Sequence, residues 1–308
     1  MKYDSACLPW LAGIGAALLW AGNFVVGKSL RTDIPPCSLA LLRWSLAFLC
    51  LTPFVVPGLR RHFAPIWRVR GTVLVLALSG ISLSNTLVYI GLGHTRAANA
   101  VVLNAAMPAF VFLLSVLSGR GRAHAGAALG MLVSLLGMGL LVAQGGGLGG
   151  AGGGDAWVAA GLFCWAIYTL VQQGLPPGLD KLTLLWILTG VGCLPLLPFA
   201  AAEHASWPAP GAGLAYGVAY LALGPSLFAM LLYNLAIRRL GALRAGQFIN
   251  LVPVFGTLLS VLCLGEHVGP VGLLALVVVS CGLALGSADM GRLRRRRGTP
   301  PVVQQLTA

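Results

Sequence analysis

Residues 241–266 read GALRAGQFINLVPVFGTLLSVLCLGE, a long apolar run that is interrupted near its middle by a proline and ends in Gly-Glu. A related segment lies 145 residues earlier in the chain. There, MPAF at 107–110 aligns with VPVF at 252–255, and LLSVL at 113–117 recurs letter for letter at 258–262. Self-similarity of this kind at a fixed offset is typical of a chain built from two related units.

Aromatic residues of the two units also recur at nearly the same spacing. Trp20 aligns with Trp165 at the offset of 145, and Tyr89 aligns with Tyr233 once a one-residue gap is allowed. The sequence therefore predicts that one unit is used twice. We predict four regions: a first repeat at 1–144, a Gly-rich linker at 145–155, a second repeat at 156–290 and a basic tail at 291–308.

The composition is typical of a membrane protein. Of the 308 residues, 58% are hydrophobic and 9% are charged, and the mean hydropathy is +0.89. Soluble domains carry about 25% charged residues, so we expect the lipid bilayer to surround this chain. The net charge is +13, but the basic residues cluster in short loops and a tail, as membrane topology predicts. We therefore expect no nucleic-acid partner.

Neither a metal nor a cofactor is expected from the sequence. The seven cysteines fall mostly inside apolar segments, with no CxxC pair, so they are interpreted as small core residues. The Gly-rich stretch at 145–154 lacks the GK[ST] ending of a nucleotide-binding loop and is interpreted as a flexible linker. We accordingly predict that this chain does not hydrolyse ATP.

Ten apolar segments are long enough to cross a bilayer, which takes about 20 residues each. Short connections rich in proline and glycine separate them. The sequence therefore predicts an all-α membrane protein with ten transmembrane helices. The segments lie near 8–30, 36–56, 69–91, 96–118, 124–143, 156–174, 182–200, 211–235, 241–264 and 268–287.

The distribution of lysine and arginine predicts the orientation. With the N-terminus in the cytoplasm, fifteen of these residues fall on the inside and three fall at the outer ends. Because basic loops stay inside, we predict that both termini are cytoplasmic. Each unit has five spans, an odd number, so the second unit enters the membrane inverted relative to the first. Inverted repeats are an architecture of transporters that work by alternating access.

Polar and aromatic side chains recur on single faces of several predicted spans. Such side chains are costly in hydrocarbon and usually face the bundle interior. We predict that they line one central substrate cavity, although hydrogen bonds between helices would give the same pattern. The predicted set is Trp20, Asn23, Asn85, Tyr89, Asn104, Trp165, Tyr168, Gln172, Gln247 and Asn250.

Two prolines and three charged residues complete the candidates. Pro108 and Pro253 occupy matching positions, and their breaks indicate either the substrate region or packing kinks. Lys28 and Arg43 could bind a substrate carboxylate, or they could snorkel outward or bind carbonyls at a helix end. Glu266 is the one acidic side chain near a polar stripe, and the middle of the spans offers no carboxylate for a proton relay.

Four motifs resemble the EamA-type, ten-helix members of the drug/metabolite transporter superfamily. They are WAGNFVVGK at 20–28, PPCSLALLRW at 35–44, the run YIGLGHTRAANAVVLNAAMPAFVFLLSVL at 89–117 and the run YNLAIRRLGALRAGQFINLVPVFGTLLSVLCLGE at 233–266. With the duplication, the resemblance covers nearly the whole chain. The family often ends the fourth span with Gly-Glu, but here residues 119–121 read Gly-Arg-Gly, so only Glu266 is kept.

The resemblance implies a carrier of the bacterial inner membrane that moves small metabolites and often exports amino acids or related compounds. It maps the family's lysine, arginine and two prolines onto Lys28, Arg43, Pro108 and Pro253. A flippase for a lipid-linked substrate, or a subunit of one, is the alternative, and a membrane-embedded enzyme is a third possibility. The substrate, the coupling ion and the oligomeric state are left open by the sequence.

Overall fold

The computed structural model describes residues 7–119, 125–144, 153–176, 178–203, 207, 211–240 and 248–297, and every regular element in these ranges is helical. We call α1–α8 the first half and α9–α15 the second half. The α-helices are α1 Leu8–Leu30, α2 Pro36–Val55, α3 Leu59–Trp67, α4 Arg70–Leu76, α5 Ser84–His94, α6 Ala97–Ala105, α7 Met107–Leu117, α8 Ala125–Gln144, α9 Gly154–Gln172, α10 Lys181–Cys193, α11 Leu196–Ala202, α12 Ala212–Leu223, α13 Ala229–Leu240, α14 Leu251–Leu264 and α15 Pro270–Arg297.

Five helical stretches of the described chain are long and apolar enough to cross a membrane unbroken. Two further pairs, α6 with α7 and α10 with α11, qualify if each pair is one span bent by 42° and 43° respectively. The protein is therefore an all-helical, multi-pass membrane protein with five to seven candidate spans. The remaining apolar stretches, in α8, α14 and α15, have 10–17 residues, so the number of ten spans stays a prediction.

Both predicted helix breaks coincide with the start of a helix. Pro108 is the second residue of α7, directly after the 42° bend that ends α6. Pro253 is the third residue of α14, which follows the short 3₁₀ helix Phe248–Asn250. A proline in the first turn loses no intrahelical hydrogen bond, since those N–H groups have no helical partner. The prolines thus begin new helices and do not interrupt continuous ones.

Two π-helical turns interrupt the third and eighth predicted spans at equivalent positions. They are Ala77–Leu83, between α4 and α5, and Gly224–Phe228, between α12 and α13. In each, a serine hydroxyl donates to the carbonyl five residues earlier: Ser82 to Ala77 at 3.4 Å and Ser226 to Leu221 at 3.0 Å. Such turns widen a helix locally and frequently occur at functional sites.

Three pairs of helices run antiparallel across the two halves, namely α5 with α9, α2 with α10 and α8 with α15. α5 packs on α9, with Gly91 beside Gly154 and Ser84 beside Gly161, so residue numbers rise along one helix as they fall along the other. α1 packs on α13 and α14, α2 on α10 and α11, and α8 on α15. A Cβ at Gly161 would lie 2.7 Å from the Ser84 carbonyl oxygen, so the close approach of α5 and α9 requires glycine there.

Candidate functional site

The centre of the site is Arg43 in the middle of α2, whose side chain is only 5% exposed. Its Nη1 donates to Asn23 Oδ1 at 2.7 Å, to Asn85 Oδ1 at 2.9 Å and to the Tyr89 hydroxyl at 2.7 Å. Its Nε donates to the Ser226 hydroxyl at 3.1 Å. We call these five residues the Arg43 cluster. Four of them belong to α1, α2 and α5, and Ser226 belongs to the second half.

The two π-helical turns fix the orientation of the groups that hold Arg43. Asn85 Nδ2 donates to the carbonyl of Gly80, five residues earlier, at 3.2 Å, which points its Oδ1 toward the guanidinium. The Ser226 hydroxyl donates its proton to the Leu221 carbonyl, so its oxygen presents a lone pair to Arg43. The local distortion of the third and eighth spans thus leaves oxygen acceptors facing the cation.

The Arg43 cluster contains one positive charge and no described negative partner. All described hydrogen-bond partners of Arg43 are neutral, and the seven acidic residues of the sequence lie outside the middle of the predicted spans. Removing a charge from water costs several kcal/mol, and neutral oxygens offset only part of this cost. A guanidinium also matches a carboxylate in bidentate geometry. The cluster is therefore suited to an anionic group of a ligand.

The other predicted first-half residues lie near this cluster or at its margin. Trp20, one turn before Asn23, donates from Nε1 to the Pro225 carbonyl at 3.1 Å, and its ring meets the Tyr233 ring edge-on at 5.1 Å. Lys28 does not join the cluster, because its Nζ donates to the Leu92 carbonyl at 2.8 Å. Asn104 lies half-buried in the last turn of α6.

Of the predicted second-half residues, Trp165 and Tyr168 are in contact with each other. Trp165 and Tyr168 stack at 4.9 Å, and the Tyr168 ring packs so closely on Gly80 that a Cβ there would lie 2.4 Å from it. Gln172 is exposed at the end of α9. Gln247 and the side chain of Asn250 lie outside the described residues. The structure thus brings Asn23, Asn85 and Tyr89 together at Arg43, and it packs Tyr168, with Trp165 stacked on it, against Gly80, the residue whose carbonyl accepts from Asn85.

Carboxylates close one end of the bundle, which we call the carboxylate-capped end. Glu266 accepts from the backbone N–H groups of Ala97 at 2.8 Å and Ala98 at 2.9 Å, at the start of α6. Glu203 accepts from the Ser38 N–H at 2.8 Å and the Ser38 hydroxyl at 2.7 Å, at the start of α2. Carboxylates stabilise helix N-termini because the unpaired N–H groups there are donors and carry positive partial charge.

Asp155, in the first turn of α9, adds a third link at the same end. It is 2% exposed, and it accepts hydrogen bonds from the Thr95 hydroxyl and, at 3.4 Å, from the Asn99 amide. Neither Asp155 nor Glu203 was among the site residues predicted from the sequence. The start of α2 lacks a capping side chain of its own, which indicates that an external acceptor is needed there but not which residue supplies it.

At the opposite end, Asp180 caps α10 within its own helix. It accepts from the Thr183 N–H at 2.7 Å and from the Thr183 hydroxyl at 2.6 Å. These two hydrogen bonds hold the pKa of the Asp180 carboxyl below its ordinary value. As for metals, the described residues contain no group of three histidine, cysteine, aspartate or glutamate side chains that could hold an ion.

Apolar helices of spanning length, packed from two halves around a buried polar cluster, define a multi-pass membrane protein. The model of the EamA-like transporter family matches residues 8–143 and again residues 152–287. The chain therefore belongs to the EamA-like transporter family, which confirms the resemblance seen in the sequence. This is a family of transporters and not of enzymes.

Similar proteins are also named as transporters. An "uncharacterized transporter" of Archaeoglobus fulgidus is 27% identical over 255 residues, covering 81% of this chain and 86% of that protein. The "uncharacterized transporter YyaM" of Bacillus subtilis is 23% identical over 258 residues, covering 80% and 83%. A solved crystal structure matches with a TM-score of 0.56 and 22% identity, covering 92% of this chain and 97% of that one, and this likeness concerns the fold alone.

Proposed function

We propose that this transporter moves small metabolites that carry a carboxylate, such as amino acids or related compounds, out of the bacterial cell. The single observation that carries the proposal is Arg43, a buried cation held by neutral oxygens from both halves. A substrate carboxylate would give this guanidinium the counter-charge that its described partners lack. We also propose that transport is secondary and not driven by ATP.

The mechanism we propose is alternating access by ten spans in two inverted repeats. Equivalent helices take equivalent partners across the halves: α1 packs on α13 and α14, while α9 packs on α5 and α7. α2 and α10 pack on each other, as do α8 and α15. If the two halves are exchanged, these helix pairs are preserved. The antiparallel orientation of the equivalent helices supports an inverted relation between the two repeats. Such symmetry supplies two similar packings, each open to one side of the membrane.

Export is the direction we propose, with the protein in the inner membrane and both termini in the cytoplasm. The count of basic residues assigns the carboxylate-capped end to the outside. The bonds of Glu203 and Glu266 close that end in the present conformation. In an exporter, this conformation would be the one that loads substrate from the cytoplasm.

The test is an export screen in a bacterial strain that overproduces the protein. Metabolites in the medium are quantified by mass spectrometry for a panel of amino acids and for amines that lack the carboxylate. We expect at least one carboxylated compound to accumulate outside cells with the protein. Arg43→Gln should lower that export about tenfold or more, because a hydrogen bond to a charged group contributes about 1.5–3 kcal/mol.

Two further variants complete the design. Arg43→Lys keeps the charge and loses the planar fork, so we expect intermediate export. Arg239→Gln removes an exposed arginine from the end of α13 and should leave export unchanged. Each variant is first checked for equal amounts in the membrane. Equal extracellular levels with and without the protein across the whole panel would refute the proposed function.

A further inference from the structure

A second feature of the molecule is an apolar groove on its side, between α2, α3, α4 and α10. It consists of two adjoining cavities of about 520 and 540 Å³ that share Phe63, Ile187 and Val191. Leu49 and Leu194, which are 62% and 61% exposed, form part of its rim. The groove therefore opens sideways, toward the hydrocarbon of the bilayer.

The groove is separate from the Arg43 cluster. Its wall on α2 is formed by Ser45, Phe48 and Leu49. At about 100° per residue, these side chains point at least about 120° away from Arg43 around the helix. Along α10, the lining runs from Trp186 to Cys193, seven residues or about 10 Å. The groove is thus elongated and apolar, runs along the outside of α2 and does not lead into the Arg43 cluster.

One end of the groove carries a dense positive charge. The rings of Phe63 and Trp67 stack at 5.6 Å, and the Arg70 guanidinium lies 5.8 Å from the centre of the Trp67 ring. Arg60, Arg61 and Arg68 are exposed on the same connection. The sequence has no aspartate or glutamate between residues 34 and 154, and Asp180, which lies near His62 of this connection, already accepts two hydrogen bonds from Thr183. A short helix with aromatic rings on one side and arginines around it is typical of the membrane interface.

From this combination we propose that the groove is a binding site for an anionic glycerophospholipid. The acyl chain lies in the channel between α2 and α10, and the phosphate headgroup binds Arg70 and the neighbouring arginines. Basic pockets between spans on the cytoplasmic side bind anionic headgroups in this way. The lipid would also fill the gap beside Ile187 and Val191, where α10 contacts α3 and α4, and so support the packing of the seventh span.

The chemistry of the groove distinguishes this ligand from other occupants. A zwitterionic lipid would fill the groove but would gain little from four exposed arginines. A second copy of the chain would have to bring a basic connection of the same charge near this one, if the contact were symmetric. A polar metabolite would lose its hydration in a channel lined almost entirely by apolar side chains. An anionic lipid satisfies both the apolar channel and its positive mouth.

The experiment measures lipid retention by native mass spectrometry on the purified, full-length protein. The probes are phosphatidylglycerol and phosphatidylcholine with identical acyl chains, titrated separately. Arg70→Gln removes charge at the mouth, and Arg239→Gln is its matched control on α13. Val191→Trp fills the channel without changing the charge, and Leu231→Trp is its control at an exposed position of α13.

We expect phosphatidylglycerol to be retained more tightly than phosphatidylcholine. Arg70→Gln should weaken phosphatidylglycerol binding about fivefold, the effect of one interfacial arginine. Val191→Trp should weaken it at least as much, and neither control should change it. Equal retention of the two lipids, or full retention by Val191→Trp, would overturn the proposal. Retained lipid binding in dimers that are disulfide-linked through Trp67→Cys, in a background without the seven native cysteines, would assign the groove to a second copy and would equally overturn the proposal.

Discussion

The bonds of Glu266 give a quantitative prediction about the carboxylate-capped end. Ala97 and Ala98 are at most 1% exposed, and their N–H groups at the start of α6 donate to the two oxygens of Glu266. Glu266→Ala leaves both donors buried without that acceptor. The loss for a missing cap or an unpaired buried group is about 1–2 kcal/mol for each donor. The closed conformation should therefore lose about 2–4 kcal/mol, which is a factor of about 30 to several hundred in the opening equilibrium.

Cysteine labelling measures this opening. The seven native cysteines are replaced, and a single cysteine is introduced by Ala98→Cys, at a position that the closed end buries. The rate of reaction with a membrane-impermeant maleimide then follows the open population. We expect Glu266→Ala to raise this rate by the factor given above, and Glu266→Gln, which keeps one acceptor oxygen, to raise it less.

Two controls separate opening of this end from loss of the fold. Asp33→Ala removes an exposed acid near the same end and should not change the rate. A second reporter, Ala275→Cys, lies fully buried between α8 and α15 and should stay unreactive in every variant. A labelling rate for Glu266→Ala within twofold of the parent would refute the reasoning, since two buried donors would then have lost their acceptor at no cost.

Two shorter predictions concern packing and orientation. Gly282→Ala would place a Cβ 2.5 Å from the Gly130 carbonyl oxygen, so α8 and α15 must move apart. We expect the free energy of unfolding to fall by about 1–3 kcal/mol, measured as a lower thermal midpoint in detergent. Gly213→Ala meets nothing within 4 Å and should not lower the midpoint, so an equal loss in both variants would contradict the packing argument. A fluorescent reporter fused after residue 290 should fold in the cytoplasm, and a fusion active only outside would overturn the predicted orientation.

The part of the site that could be predicted from the sequence depends on periodicity within single helices. Asn85 and Tyr89 share a face at a spacing of four residues, and Asn23 lies one turn from Trp20, so their inward orientation followed from the pattern. The central position of Arg43 did not follow from any such pattern, because its partners come from α1, α5 and the π-helical turn before α13. The sequence allowed Arg43 to snorkel outward, whereas tertiary packing encloses it.

The π-helical turns and the carboxylate caps could not be predicted for related reasons. Pro225, which has no N–H to donate, indicates a distortion in Gly224–Phe228 but not its type, and Ala77–Leu83 contains no proline. The bonds of Glu203 and Glu266 join residues that are 165 and 169 positions apart, and they depend on how the halves dock. The side chain itself gives no local signal, since an acid after a span is equally suited to a solvated loop.

The two halves share an arrangement of helices but not the polar residues of the Arg43 cluster. At the repeat offsets, Asn23 corresponds to Tyr168, Arg43 to Leu188 and Asn85 to Ala229. Tyr168 and Leu188 are buried in one hydrophobic cluster, with exposed fractions of 6% and 1%. Burying these side chains releases free energy, whereas burying Arg43 costs it, so the equivalent regions cannot separate from their neighbours at equal cost. Divergence at three positions therefore restricts the polar site to one region of a duplicated fold, and under the proposed alternating access it would make the two packings of the halves unequal in energy.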